Sequence, residues 1–256
     1  MNFLKGKFFY RGKTLDDAPF WGLSVLASGN MRFRWNETNP VRDNFFSCIC
    51  TENRKPAQPQ LIHSKIIYEI SSADEIYKKE GDGILTSNKS IVPAVTAADC
   101  MPIFVYDVNS GVFGTLHSGW KGTGIAAEAF YMLNKKYGSR PDDLCFVLGP
   151  RINSCCYFVD KTRAEYFSSN FGSGCVFFVD GNNYALSLLE ANLYLLKSIG
   201  VPEENIFASK ECTCCFKENG VFKYGSFRRQ TLHLPSEMPL EERQRHFTVQ
   251  AAFVFG

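Results

Sequence analysis

Apolar residues in this chain recur at two periods, and the two mark different elements. From Tyr184 to Ile199, Leu186, Leu189, Leu193 and Leu196 follow one another at three- and four-residue steps, which predicts a helix ended by Gly200. Ile125, Ala129, Met132 and Leu133 line one face of another helix, expected to start near Thr123 as its N-cap and to stop before Gly138. A third helix is expected from about Lys161 to Phe171, behind Asp160 as cap. Short apolar runs predict strands around Phe8–Tyr10, Trp21–Leu26, Leu144–Leu148, Val176–Val179, Val221–Tyr224 and Val249–Phe255. Leu61 to Ile70 is also β-rich, and Glu80-Gly-Asp-Gly83 reads as a turn before Ile84 and Leu85. The stretch between Leu26 and Gln60 is polar and carries no clear period. Strands mixed with helices in this way predict a mixed α/β (α+β) fold, and no linker divides residues 1–256, so one domain is expected.

The middle of the chain is the most informative. Ile103–Tyr106 and Val112–Leu116 flank Asp107-Val-Asn-Ser-Gly111, a composition typical of a hairpin turn. Residues that face each other across a hairpin have a constant sum of numbers. A turn centred between Val108 and Asn109 sets Cys100 opposite His117 at the open end. Opposed side chains stand about 4.5–5.5 Å apart, close enough to share a metal or to form a thiolate–imidazolium pair.

Composition narrows the chemistry. The formal charge of +2 and a pI near 8.0 give no reason to expect nucleic acid or a membrane surface as partner. No stretch reaches the roughly 20 apolar residues of a membrane span. The N-terminus, from Met1 to Lys13, lacks the apolar run of a secretory signal, so a cytoplasmic location is expected. In that compartment the ten cysteines are thiols: core residues, ligands or nucleophiles. Cys48, Cys50, Cys145 and Cys175 read as buried small hydrophobes. Cys212-Thr-Cys-Cys215 is a possible metal cluster without a second ligand pair at zinc-finger spacing. Cys155 and Cys156, if in a strand, would point to opposite faces. His233 and His246 read as surface residues.

Two segments around the hairpin add to it. Asp99 lies beside Cys100, placed to orient a histidine. His117-Ser-Gly-Trp-Lys-Gly-Thr-Gly124 runs into a helix N-terminus, where backbone N–H groups and Lys121 would suit a phosphate or carboxylate. A tight strand-to-helix turn explains the same glycines.

At these residues the chain resembles the laccase-domain (YfiH-type) family. Its members are also called multicopper polyphenol oxidases and are understood as purine nucleoside phosphorylases. The resemblance rests on Gln60-Leu-Ile-His63-Ser64, Gly81-Asp-Gly83, Ala98-Asp-Cys-Met-Pro102 and His117-Ser-Gly-Trp-Lys-Gly122. It continues through Gly149-Pro-Arg-Ile152, Cys155-Cys-Tyr-Phe-Val159, Cys212-Thr213 and Ser226-Phe-Arg-Arg229. Two positions depart from the family pattern: Ala97, where threonine is common, and Phe158, where glutamate is common.

The resemblance implies a layered α/β/β/α sandwich with a central mixed β core, and a zinc ion on His63, Cys100 and His117. It also implies phosphorolysis of adenosine, inosine and S-methyl-5′-thioadenosine, with phosphate as co-substrate and adenosine deamination as a companion. Three protein ligands with one open position is the pattern of a catalytic zinc. For a functional arginine upstream of His63, Arg42 is the first candidate and Arg54 the second. Arg228 is expected to bind phosphate or a ribose hydroxyl, and Trp120 or Tyr157 either to stack on the purine or to belong to the core. Two other readings stay open: a cysteine hydrolase, such as a peptidoglycan-precursor amidase, with Cys100 as nucleophile and His117 as base, and a copper oxidase of phenols. Four histidines are too few for a multicopper centre, which places copper below zinc. Oligomeric state is not legible.

Overall fold

The computed structural model describes residues 2–50 and 53–256. Two large sheets lie face to face. One has five strands in the order Phe3–Gly6, Phe20–Ser24, Gln250–Phe255, Ile91–Ala97 and Lys55–Ala57. The other has six, ordered Ile206–Ala208, Leu144–Leu148, Met101–Asp107, Phe113–Ser118, Gly83–Thr86 and Ile67–Glu69. Both mix parallel and antiparallel pairs. Side-chain alternation along the strands separates the layers. Phe104, Phe113, Val147, Val95, Ala252 and Val254 fill the space between the sheets. Ile103, Val105, Leu116 and Phe146 turn outward against the helices Ile125–Tyr137 and Leu188–Ser198. On the far side, Val92, Ala94, Ala251 and Phe253 pack against Phe45, Phe46 and Ile49 of the helix Pro40–Ile49. The result is the expected α/β/β/α layering.

A smaller three-stranded sheet, Phe158–Asp160, Asn183–Leu186 and Val176–Asp180, packs on the helix Lys161–Phe171 around Phe167, Leu186 and Ala191. Among the described residues no helix is long and apolar enough to cross a membrane.

The helix behind Asp160 begins and ends as expected, with the Asp160 carboxylate accepting from the Arg163 N–H at 2.8 Å. Three expectations need correction. The last long helix starts at Leu188, because Tyr184, Ala185 and Leu186 pair in the three-stranded sheet. Ser187 caps it and Glu190 follows three residues later, a start signal that the leucine period masked. The helix after the glycine loop starts at Ile125 with Gly124 at the N-cap position, and the Thr123 hydroxyl donates to the Gly119 carbonyl instead. The polar stretch before Gln60 contains the helix Pro40–Ile49, capped by the Asn39 side chain and opened by Pro40.

Phe253 is fully buried among Phe3, Phe45 and Phe46, with ring centroids 5.6–5.9 Å apart. Phe253→Ala should cost about 3–5 kcal/mol of unfolding free energy, the usual loss for emptying such a site. Urea titration of the two proteins would read this as a lower midpoint at unchanged slope. A loss under about 1 kcal/mol would show that this sheet–helix layer repacks freely.

Candidate active site

The hairpin forms with a register two residues from that expected. His117 faces Pro102 and Ser118 faces Met101. A shift of two keeps every side chain on its original face, so Cys100 and His117 become diagonal neighbours on one face. Their ligand atoms and that of His63 all lie within 4.8 Å of one another. His63 arrives from an irregular segment, Leu61–Lys65, that continues no strand and in which its own backbone is left-handed, with φ of +59°. The three residues that the sequence singled out therefore meet.

Asp82 makes them meet. Its carboxylate is fully buried and accepts from the His63 N–H at 3.0 Å, the Ser64 N–H at 2.6 Å and the Ser64 hydroxyl at 2.7 Å. It also accepts from His117 Nδ1 at 2.9 Å. In the neutral ring this contact assigns the proton to Nδ1 and leaves Nε2 as the ligand or base. Burial acts to raise the Asp82 pKa, but hydrogen bonds from His117 and Ser64 and the charge of His117 outweigh it and hold it below the usual carboxylate range.

The orienting carboxylate is thus Asp82 and not Asp99. Asp99 accepts from the Thr213 hydroxyl, the Ser226 hydroxyl and the Arg228 N–H, and so braces the start of the short helix Phe227–Thr231 that carries Arg228. The signal for Asp82 was the flanking glycines. A Cβ on Gly83 would come within 2.7 Å of Leu116, and one on Gly81 within 3.1 Å of the Ile66 carbonyl.

Without metal, Cys100 and His117 form an ion pair. Burial pushes the Cys100 thiol up, but the charge and hydrogen bonds of His117 and a hydrogen bond from His63 bring it down to about 6. Burial likewise lowers His117, and its contacts with Cys100 and Asp82 raise it to about 10. A soft metal would take the place of the shared proton: one thiolate and two imidazoles suit zinc, with one position left open. The residues present fit that ion.

The centre forms the floor of a cavity of about 430 Å³, within the range that takes nucleoside-sized ligands. Its walls combine Phe33, Trp120, Tyr157, Phe227 and Phe247 with four arginines, Arg32, Arg34, Arg163 and Arg228. Arg163 lies 4.4 Å over the Trp120 ring. Of the expected anion ligands, Arg228 is in the cavity; Arg42 and Lys121 are not among its lining residues. Arg42 stacks 4.4 Å over Phe33 and lines a separate pocket, while Lys121 is exposed with its Nζ 5.3 Å from the Trp120 ring centroid. Sequence reasoning missed Arg32, Arg34 and Arg163. For the first two the available signal was the alternation Arg32-Phe-Arg-Trp35, charged and aromatic by turns.

The glycine loop packs against the centre. A Cβ on Gly119 would stand 2.7 Å from Cys100 Sγ, and one on Gly122 would stand 2.9 Å from the Ser64 carbonyl. These glycines serve close approach.

The cysteines meet expectation in part. Cys145 and Cys175 are buried, whereas Cys48 is exposed and Cys50 half-buried. Cys155 and Cys156 lie in a turn and not a strand, and their sulfurs meet those of Cys212 and Cys215 within 4.8 Å. His233 and His246 are exposed.

A family model described as multi-copper polyphenol oxidoreductase laccase matches residues 23–233. The chain belongs to this family. Relatives in it carry the name purine nucleoside phosphorylase. One from Borreliella burgdorferi is 36% identical over 162 residues, 61% of this chain and 68% of its own length. Another, YlmD of Geobacillus stearothermophilus, is 32% identical over 139 residues, 52% of this chain and 51% of its own. Several relatives are thus matched over only about half their length. The family fold extends further than these alignments. A crystal structure of the hypothetical protein YfiH from Bacillus licheniformis shares 25% identity at a TM-score of 0.78, covering 93% of this chain and 92% of that one. That of YlmD from G. stearothermophilus shares 22% identity at 0.77, covering 98% and 99%.

Two outcomes test the site. In metal-free protein, alkylation of Cys100 by iodoacetamide should rise through about pH 6 and level off above it, because the depressed thiol is then ionised. The sign follows from both partners. The Cys100 contribution to stability is lost as pH falls through about 6, and that of His117 is lost as pH rises through about 10. His117→Ala should shift the alkylation profile to higher pH; an unshifted profile would remove the ion pair. Asp82→Asn, which sets an N–H against one of these donors, should weaken metal affinity about 10–100-fold in chelator competition. Unchanged affinity would reduce Asp82 to a packing role.

Proposed function

We propose that the chain is a zinc-dependent purine nucleoside phosphorylase acting on adenosine, inosine and S-methyl-5′-thioadenosine, with adenosine deamination as a companion activity, in the cytoplasm. What carries this reading is one juxtaposition. A thiolate and two imidazoles with an open side stand at the floor of a cavity walled by aromatic rings and guanidinium groups. The names of the relatives support the substrate class.

In phosphorolysis a phosphate oxygen bonds to ribose C1′ while the C1′–N9 bond breaks, and the purine leaves with the electron pair and takes up a proton. The chain's residues divide this task. Trp120 and Tyr157 offer faces on which a purine can stack. Arg228, with Arg32, Arg34 and Arg163, offers charge and paired N–H donors to a phosphate dianion. Arg228 is aimed from both ends, its backbone N–H on Asp99 and its guanidinium on the Phe158 carbonyl at 3.1 Å. His63, Cys100 and His117 would hold the zinc, and Asp82 keeps His117 in the ligating tautomer. When bound, the ion supplies Lewis-acid polarisation of a substrate oxygen or of water.

A second reading has its own observation. Asp82, His117 and Cys100 stand in the order orienter, base, nucleophile, as a thiol hydrolase requires. The His63 ring, 4.9 Å from that of His117, is a third group that a triad does not require and a metal site does, which favours the zinc reading.

Purified protein should release ribose 1-phosphate from inosine only when phosphate is present. Cys100→Ala and His63→Ala should lose the zinc of the cavity and activity together. Arg228→Ala should raise the KM for phosphate about 10–100-fold, the worth of one charge-assisted hydrogen bond, while Lys121→Ala should leave it unchanged. A metal-free protein that turns over through a covalent adduct on Cys100 would replace this reading by the hydrolase.

A further inference from the structure

We infer that the chain holds a second metal ion, a structural zinc on Cys155, Cys156, Cys212 and Cys215, independent of the centre in the cavity. The sulfurs of these four residues lie within 4.8 Å of one another, and those of Cys155 and Cys215 are 3.8 Å apart. Zn–S bonds of 2.3 Å at tetrahedral angles set sulfurs about 3.8 Å apart. A disulfide would need about 2.05 Å. Four sulfur ligands with no oxygen or nitrogen donor among them select zinc over harder cations.

The local backbone explains how neighbouring cysteines serve one ion. Cys156 N–H and Tyr157 N–H both donate to the Asn153 carbonyl at 2.9 Å, which closes a helical turn. Successive side chains in such a turn are about 100° apart and not on opposite faces, so both thiols reach the same point. Cys212 and Cys215 bracket a second turn, closed by the Phe216 N–H on the Cys212 carbonyl at 3.0 Å. The Asn153 N–H donates to the Cys212 sulfur at 3.3 Å, linking the two turns at the ligand itself.

Charge points the same way. A zinc ion with four thiolates carries two net negative charges, and two arginines adjoin the backbone that carries the sulfurs, Arg151 with its Nη1 on the Gly149 and Ser209 carbonyls. Arg151, 2% exposed, bridges Cys212 through the backbone. Arg229 donates to the Thr213 and Cys214 carbonyls at 2.8 and 2.6 Å. Among the described residues neither arginine forms a salt bridge, and Arg151 Nε has no hydrogen-bond partner. A buried guanidinium is costly without a counter-charge. Binding is a simple exchange in which Zn²⁺ enters and the four thiols release their protons, with no change of oxidation state.

The ion would act on the cavity only through position. It ties the turn before Tyr157 to the loop whose Thr213 braces Asp99. The test uses the full chain, expressed and purified with zinc under reducing conditions. Native mass spectrometry should find two zinc ions per chain, falling to one in Cys155→Ser and in Cys212→Ser. A Cys100→Ala protein, in which the cavity centre is lost, should still hold one zinc, and X-ray absorption should show it ringed by sulfur alone at about 2.3 Å. That arm reads the second site even if the first binds nothing. Absence of zinc from the Cys100→Ala protein, a Cys155–Cys215 disulfide in its place, or nitrogen in the ligand shell would each overturn the inference.

Discussion

One buried carboxylate decides whether this protein has a site. Asp82 lies in a glycine-flanked segment at the start of a strand, and its two oxygens collect four donors from two distant stretches. A carboxylate without water is expensive, by several kcal/mol if unpaired, so the donors are obligatory once the residue is inside. Satisfying them pulls the irregular segment carrying His63 onto the hairpin carrying His117, and it fixes which imidazole nitrogen faces Cys100. The remaining parts, the ion pair, the open coordination side and the cavity floor, follow from that single anchoring.

The elements of the fold were largely readable, because alternating strands and a leucine-spaced helix express burial directly in residue type, whereas their layering was implied by the family resemblance alone. Val249 to Phe255 is an unambiguous apolar run, and Asp160 an unambiguous cap. The errors arose where two signals competed. At Tyr184 to Leu186, leucine spacing suggested helix while the residues pair as a strand, since a run that short satisfies both periods. At Pro40 to Ile49, exposed polar residues hid Phe45, Phe46 and Ile49, although Asn39 and Pro40 marked the start.

The site itself was half legible. Cys100 and His117 follow from hairpin arithmetic that tolerates a shift of two but not of one. His63 came from family resemblance alone, since no local pattern connects it to the hairpin. Asp82, Arg32, Arg34 and Arg163 depend on tertiary placement: each looks locally like a turn or surface residue. Cys155 and Cys156 converge, against the strand expectation, for a geometric reason: a strand separates neighbours and a helical turn does not. Backbone strain also collects here. His63 and Asp99 are both left-handed, at φ of +59° and +77°, in residue types that bear it better than most.

The five-stranded sheet has a consequence for how the protein is made. Its middle strand, Gln250–Phe255, is inserted between Phe20–Ser24 and Ile91–Ala97, and residues 20–97 leave the ribosome long before it does. Until then those two strands have exposed inner edges and an uncovered apolar face, which are the features that invite mispairing. Phe227, Phe247 and Val249, which line the cavity, arrive in the same late stretch. Synthesis therefore builds the ligand-bearing hairpin first and completes the cavity wall later, so the nascent chain carries its reactive thiol and imidazoles without that wall until residues 227–249 are made.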